Sequence, residues 1–232
     1  MTTFACAAES VSVQRTREIV DDLVAHEFGA ASSRYRMFES EVLSIEAAPV
    51  WRRALAHSDA TVREWAVDAL SRIGAVEDVD RIAELLDDTS RGVRQQTLDA
   101  LIRIEPSVAA ESFLQRLESS APEQVVLAAQ GLAQIGVKDA APAILRRARD
   151  AALPASTRGA LMQQLAALGD PVVVAELVDL ALDVEADVSL RRLAAEAAVA
   201  IDTADPSLVL RRLAGATDDY IQALGERGLE LQ

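Results

Sequence analysis

The sequence predicts an all-α solenoid of about six helical hairpins with a capping helix at each end. Three observations predict this class: a repeat of 31 to 33 residues, apolar positions at helical spacing within each half-repeat, and prolines confined to predicted helix starts. Half of the residues are hydrophobic but only 3% are aromatic. This composition suits closely packed helices better than strands.

The repeat is clearest where residues 62–74 recur 31 positions later as residues 93–105. Within each half-repeat, apolar residues fall at i, i+3, i+4 and i+7, which places them on one stripe of a helix. Each repeat is therefore predicted to contain two amphipathic helices. The first-helix columns are Leu70, Leu101, Leu132, Leu165 and Ala198, and Ile73, Ile104, Ile135, Leu168 and Ile201. The second-helix columns are Trp51, Ile82, Phe113, Ile144, Leu177 and Leu210, and Leu55, Leu86, Leu117, Ala148, Ala181 and Ala214.

Helix boundaries are marked by residues that suit them. A proline at a helix start loses no hydrogen bond, because the first amide groups have no intrahelical acceptor. Side chains at N-cap spacing can accept from those amides, and glycine suits the C-cap. The prolines are Pro49, Pro106, Pro142, Pro171 and Pro206 before second helices, and Pro122 and Pro154 before first helices. The predicted caps are Asp59, Ser90 and Asp187 at the start and Gly74, Gly136 and Gly169 at the end.

The two ends of the chain are predicted to differ from the repeats, because terminal units need a polar outer face. We divide the chain into a tail and capping helix (1–31), the solenoid (32–216) and a C-terminal capping helix (217–232). The first capping helix is expected over residues 12–28, and the first repeat over 34–46 and 49–57. In the closing helix, over 218–229, Gly225 and Gly228 are expected to weaken the helix.

The unit resembles the HEAT-like repeat of the phycobilisome-lyase type, with the approximate pattern D-x-x-V-R-x-x-A-x-x-A-L-x-x-I-G-D-P. The likeness is strong over residues 57–214 and weak over 32–56. It implies the fold of HEAT-like helical hairpins, and it also implies a possible role as a lyase-type or chaperone subunit acting on a chromophore-bearing or other client protein. The matching residues include Asp59, Val62, Arg63, Ala66, Ala69, Leu70, Ile73, Gly74, Val93, Arg94, Leu161, Leu165, Gly169, Asp170, Pro171, Asp187, Arg191, Ala194 and Ile201.

An arginine recurs near the start of the first helices, at Arg63, Arg94, Arg158 and Arg191, and is replaced once by Val125. Two interpretations are open. These arginines could bond helix ends or acidic groups of a neighbouring repeat, or they could contact a ligand. We favour the first.

The net charge of −14 and the pI near 4.6 argue against nonspecific binding to nucleic acid or anionic membranes, and favour basic partners. No stretch approaches the ~20 apolar residues of a membrane-spanning helix, and the first eight residues lack a basic start. The single cysteine, Cys6, excludes an internal disulfide and a multi-cysteine metal site. A cytoplasmic location without membrane insertion is therefore expected.

Residues for catalysis are scarce, since His26 and His57 are the only histidines. No phosphate loop, zinc-ligand spacing or nucleophile elbow is present. We therefore predict no catalytic residues, no metal site and no cofactor.

The solvent-directed column of the second helices carries many of the arginines. We predict it to be a partner-binding surface for another protein or an extended peptide, on the side that lines the concave face in solenoids. The alternative is an ordinary solvated helix face. The column is Arg53, Glu84, Gln115, Arg146, Asp179 and Arg212, with Arg116 and Arg147 adjoining it. The first helices are expected to expose a solubilising column, Asp68, Asp99, Gln130, Gln163 and Glu196. The leading hypothesis is a noncatalytic scaffold or adaptor.

Overall fold

The computed structural model describes residues 13–18, 43, 45–201 and 203–231, and all its regular elements in these ranges are helical. Residues 13–18 are helical, as predicted for the first capping helix. The remainder of that helix and most of the first helix of repeat one lie outside the described residues. The chain divides into two compact units, Met1–Ala109 and Ala110–Gln232.

In the first unit, first and second helices alternate along the chain. The first helices of repeats two and three pack against each other, and each of them also contacts a second helix. The elements are a 3-10 turn Ile45–Ala47, α1 (Ala48–Ala54), α2 (Ala60–Ile73), a 3-10 turn Val76–Asp78, α3 (Val79–Ala83), a 3-10 turn Glu84–Asp87, α4 (Arg91–Ile104) and the start of α5 (Pro106–Arg116).

The second unit continues the same alternation. Its first helices pack on one another, and its last two second helices do the same. After the end of α5, the elements are α6 (Pro122–Ile135), a 3-10 turn Lys138–Ala140, α7 (Ala141–Ala148), α8 (Ala155–Leu168), a 3-10 turn Pro171–Val173, α9 (Val174–Leu182), α10 (Val188–Ala200), α11 (Pro206–Ala214) and α12 (Asp219–Glu230). The predicted all-α class of repeated helical hairpins is confirmed.

The apolar columns form the core of each unit. Trp51, Ile82, Phe113, Ile144 and Leu177 have no exposed surface. Burying a side chain of this size contributes about 1.5–3 kcal/mol to stability. In the first-helix columns, Leu70, Leu101, Leu132, Leu165 and Ala198 are also buried, whereas Ile73, Ile104 and Ile135, each the last residue of its helix, are half-buried.

The predicted helix caps are confirmed. Asp59 accepts from the amide of Thr61, Ser90 from Val93 and Asp187 from Leu190. At the other ends, Gly74, Gly136 and Gly169 have φ of 75°, 80° and 66°, a left-handed conformation that costs other residues energy. These caps let the chain reverse within a few residues.

The closing helix α12 is formed despite its two glycines. Asp218 caps it by accepting from Tyr220 and Ile221 amides. A Cβ atom at Gly225 would overlap the backbone nitrogen of Ala214 and the carbonyl oxygen of Leu210. Glycine lowers the helix propensity of α12, as we expected. At Gly225, however, the missing side chain also lets α12 pack closely against α11.

Three of the four first-helix arginines donate to backbone carbonyls near helix ends, as the favoured interpretation predicts, whereas the Nε atom of the fourth, Arg158, is buried without a hydrogen-bond partner. Arg63 donates to the carbonyls of His57 and Ser58, and Arg94 donates to those of Asp88 and Thr89, 31 residues later. Arg191 donates from Nε to the carbonyl of Ala181, 3.1 Å away.

The expected solubilising column of the first helices is only partly exposed. Gln163 and Glu196 are exposed, but Asp68, Asp99 and Gln130 are half-buried. Asp68 lies between neighbouring helices, where its carboxylate accepts from Gln96 at 3.2 Å and from Arg103 at 3.4 Å. The prediction was wrong for these three residues, and for Asp68 the reason is that Gln96 and Arg103 of the facing helix α4 cover it.

Candidate binding surface on the second helices

The second helices α1, α5, α7, α9 and α11, and the 3-10 turn that follows α3, position the predicted binding residues. Each of these residues follows a buried core residue by two positions, for example Arg53 after Trp51 and Arg146 after Ile144. Two residues advance about 200° around a helix, so burial of one residue directs the other to solvent. The structure exposes the whole predicted column: Arg53, Glu84, Gln115, Arg146, Asp179 and Arg212.

In the first unit, Arg53 and Glu84 lie on the exposed side of consecutive second-helix segments. The neighbouring Arg52 connects these segments, since its Nε donates to both carboxylate oxygens of Asp78 at 2.8 Å. This interaction raises the pKa of Arg52. Arg81 also contacts Asp78, at 3.1 Å, so one carboxylate holds two arginines in place.

Asp78 is a structural residue that our sequence analysis missed. Its side chain is only 2% exposed. The sequence contains a signal for it, because the equivalent positions in the other repeats are apolar. Ala47, Ala109, Ala140 and Val173 occupy four of them and are buried, and the exposed Pro206 occupies the fifth. A lone carboxylate in an apolar column requires an ion partner, and Arg52 supplies it.

In the second unit, the predicted column forms ion pairs between consecutive hairpins. Arg146 on α7 pairs with Glu118, which follows α5. Arg212 on α11 donates to Asp179 on α9 at 2.8 Å. A third pair, Arg149 and Glu176, is 3.8 Å apart. The surface therefore carries alternating charges that are balanced along the helix stack.

The two adjoining arginines, Arg116 and Arg147, are half-buried rather than solvent-directed. Arg147 donates to the carbonyl of Ser119 at 2.8 Å and to Asp150 at 2.6 Å. Arg116 donates to the side chain of Gln124 at 3.2 Å. Both residues therefore bond the segments around the start of α6 and the end of α7, a structural role that the sequence analysis did not assign to them.

An apolar groove between α9 and α11 is a second feature that the sequence analysis missed. Its volume is about 310 Å³, and Val174, Val178, Leu208 and Val209 line it, with Asp205 and Arg212 among its polar residues. Leu208 is 54% exposed. The equivalent column in earlier repeats is Pro49, Asp80, Glu111, Pro142 and Ala175, so its change to a large apolar residue was the available signal.

Thr203 lies in the wall of this groove. Its hydroxyl oxygen is buried and has no hydrogen-bond partner. The same residue lines a cavity of about 240 Å³ bounded by residues of α10, α11 and α12, among them Ala198, Leu210 and Gly228. Leaving a buried hydroxyl without a hydrogen-bond partner costs free energy. A ligand group that accepts a hydrogen bond from Thr203 would therefore bind more tightly.

The side chain of His57 has a structural role in the loop before α2. The imidazole Nδ1 of His57 accepts from the amide of Asp59 at 3.0 Å. Among the described residues, no group of three or more His, Cys, Asp or Glu side chains could hold a metal ion. Within the same ranges, no helix has the length and apolarity needed to cross a membrane.

A known repeat family matches part of these hairpins. The family described as HEAT repeats matches residues 29–102. No curated protein matches the sequence significantly. Among solved structures, an engineered protein is 20% identical, with 79% of this chain and 95% of that chain covered and a TM-score of 0.44. The complex of CpcE and CpcF of phycocyanin lyase from Nostoc sp. PCC7120 is 19% identical, with 100% and 92% covered and a TM-score of 0.45. With HEAT repeats matched over residues 29–102 and first and second helices alternating through the described residues, this chain has an all-α fold of HEAT-like helical hairpins.

Proposed function

We propose that the chain is a noncatalytic scaffold that holds a protein partner on the exposed side of its second helices. The observation that carries the proposal is that, among the described residues, exposed large apolar side chains are more numerous on second helices and the turns before them than on first helices. In the described residues, Val188 and Val199 are exposed on first helices. On second helices or the 3-10 turns that precede them, Ile45, Val76, Val108, Leu114, Val172 and Leu208 are exposed.

The ion pairs between hairpins support the same proposal. The pair of Arg52 with the buried Asp78 holds consecutive second helices together before any partner arrives, and the exposed pair of Arg212 with Asp179 adds a weaker connection. A preordered surface loses less conformational entropy on binding than a flexible one. A contiguous apolar patch with a polar rim is typical of protein interfaces.

Charge reversal on this surface tests the proposal. The combined variant Arg53→Glu and Arg146→Glu changes two exposed second-helix positions, one in each unit. The matched control is Arg91→Glu, which makes the same change at an exposed position on first helix α4. Tagged proteins would be used for affinity purification from an extract of the source organism, with quantitative mass spectrometry. We expect the partner to be retained by wild type and control and reduced several-fold for the double variant.

Equal recovery of every partner with all three proteins would overturn the placement of the interface. The lyase-type or chaperone alternative, implied by the sequence resemblance, is tested separately by incubating the purified protein with a free bilin. A covalent adduct, or transfer of the bilin to an acceptor protein, would contradict a noncatalytic scaffold. An unchanged absorption spectrum is the expected result.

A further inference from the structure

We propose that the groove between α9 and α11 binds a short peptide segment in which a large apolar side chain is flanked by basic residues. This proposal rests on the scaffold function and names the partner chemistry of one part of the second-helix surface. The groove lies entirely within the second unit, so its geometry is defined by one compact body.

The apolar part of the ligand follows from the lining of the groove. Val174 and Val178 on α9 face Leu208 and Val209 on α11 across it. Its volume of about 310 Å³ lies at the lower end of the range of about 300–1,000 Å³ that holds drug-sized molecules. One or two large side chains of a peptide fit such a space better than an extended cofactor.

The basic part of the ligand follows from the charge at the rim. Arg212 is the groove's basic residue, and it already pairs with Asp179 at 2.8 Å. Asp205 adds an exposed carboxylate, which accepts from the backbone amide of Leu208 at 3.0 Å. Because Asp179 balances the charge of Arg212, the carboxylate of Asp205 leaves the rim negative, so the rim attracts a cation and repels an acidic segment.

Thr203 adds a polar contact at the edge of the apolar surface. Its buried hydroxyl is unpartnered and lies in the wall of the groove. A backbone carbonyl of the peptide could accept a hydrogen bond from this hydroxyl. Such a bond would fix the direction of the peptide, because the apolar contacts alone are nondirectional.

The experiment is a selection of random dodecapeptides displayed on phage against the full-length protein, with depletion on the variant Leu208→Asp. Leu208 is 54% exposed, so this substitution leaves the core intact. Val184→Asp is the matched control, because Val184 is 61% exposed, lies outside the groove and receives the same charge. Selected peptides would then be synthesised and their affinity measured by fluorescence anisotropy.

We expect enriched peptides to contain a large apolar residue next to Lys or Arg. Their affinity should fall at least tenfold for Leu208→Asp, remain within twofold for Val184→Asp, and fall several-fold for Asp205→Asn, which keeps a capping side chain. No enrichment, an acidic consensus, or equal affinity for Leu208→Asp would overturn the proposal. If a partner is still lost on charge reversal at Arg53 and Arg146, the scaffold function stands while the groove is rejected.

Discussion

Arg63 and Asp88 join two consecutive hairpins through a bidentate ion pair. The Arg63 Nε atom lies 2.7 Å from one carboxylate oxygen and the Nη2 atom lies 2.8 Å from the other. The side chains are only 13% and 7% exposed. Asp88 also accepts from the amide of Ser90 at 2.7 Å, so the pair fixes the loop that leads into α4.

Replacement of Arg63 by glutamine should destabilise the fold. It leaves the Asp88 carboxylate without its main partner and frees the carbonyls of His57 and Ser58, and an unsatisfied buried polar group costs about 1–3 kcal/mol. The free energy of unfolding from urea denaturation measures the loss. The control is Arg212→Gln, where the pair with Asp179 is exposed and the expected loss is at most about 1 kcal/mol. Equal losses at the two sites would contradict the structural role of Arg63.

The same pair predicts how stability depends on pH. The hydrogen bond from Arg63 lowers the pKa of Asp88 below its usual value. The stabilisation is therefore fully present above the unfolded-state pKa of about 3.9, and is lost as pH falls through the lower folded-state pKa.

For Asp88→Asn, which removes the charge but keeps an acceptor for Ser90, the destabilisation relative to wild type should be largest near pH 6 and shrink below about pH 4. Denaturant titrations of both proteins across this range give the difference directly. A difference that stays constant with pH would mean that the carboxylate charge makes no contribution.

Replacement of Gly131 by alanine should destabilise the second unit, although alanine is the better helix former by about 1 kcal/mol. A Cβ atom at this position in α6 would overlap the ring of the fully buried Phe113. Overpacking of this kind costs about 1–3 kcal/mol, so the net effect should be a lower thermal midpoint.

The control for this steric effect is Gly215→Ala, since Gly215 has φ of −88° and the nearest atom to its Cβ would be 3.5 Å away. That variant should be neutral or slightly more stable. Adding Phe113→Leu to Gly131→Ala should recover part of the loss. If it does not, the ring is not the cause.

Asp218 should control the fraying of α12. It accepts from two amides at the helix start and pairs with Arg192, whose guanidinium carbon lies 5.3 Å from the centre of the Tyr220 ring. For Asp218→Ala, hydrogen exchange of the α12 amides should become several-fold faster, whereas Asp219→Ala, one residue later, should change it little. Mass spectrometry of peptides covering residues 219–230 distinguishes these outcomes.

Much of this architecture is visible in the sequence because the repeat presents each structural position several times. The buried column from Trp51 to Leu210, the proline starts and the glycine caps all follow from one register. The exposed column from Arg53 to Arg212 follows from the same register by helix geometry. Each of these predictions therefore rests on several equivalent positions in the sequence.

Features that occur in a single repeat were missed. Asp78 has no acidic equivalent in its column, and the groove depends on Leu208 standing next to residues of another helix. Asp68 contacts side chains 28 and 35 positions away, and Arg147 contacts a backbone carbonyl 28 positions away. Contacts of this range depend on how helices pack, which periodicity alone does not specify.

The pairing of Arg212 with Asp179 and of Arg146 with Glu118 limits what a single contact can contribute to recognition. An incoming carboxylate that takes one of these arginines must displace the carboxylate already there, so it gains only the difference between two similar ion pairs. Individual contacts of this kind exchange rapidly and are weak. Tight binding on such a surface would have to come from engaging several hairpins at once, so that affinity rises with the length of the bound segment and selectivity depends on its spacing.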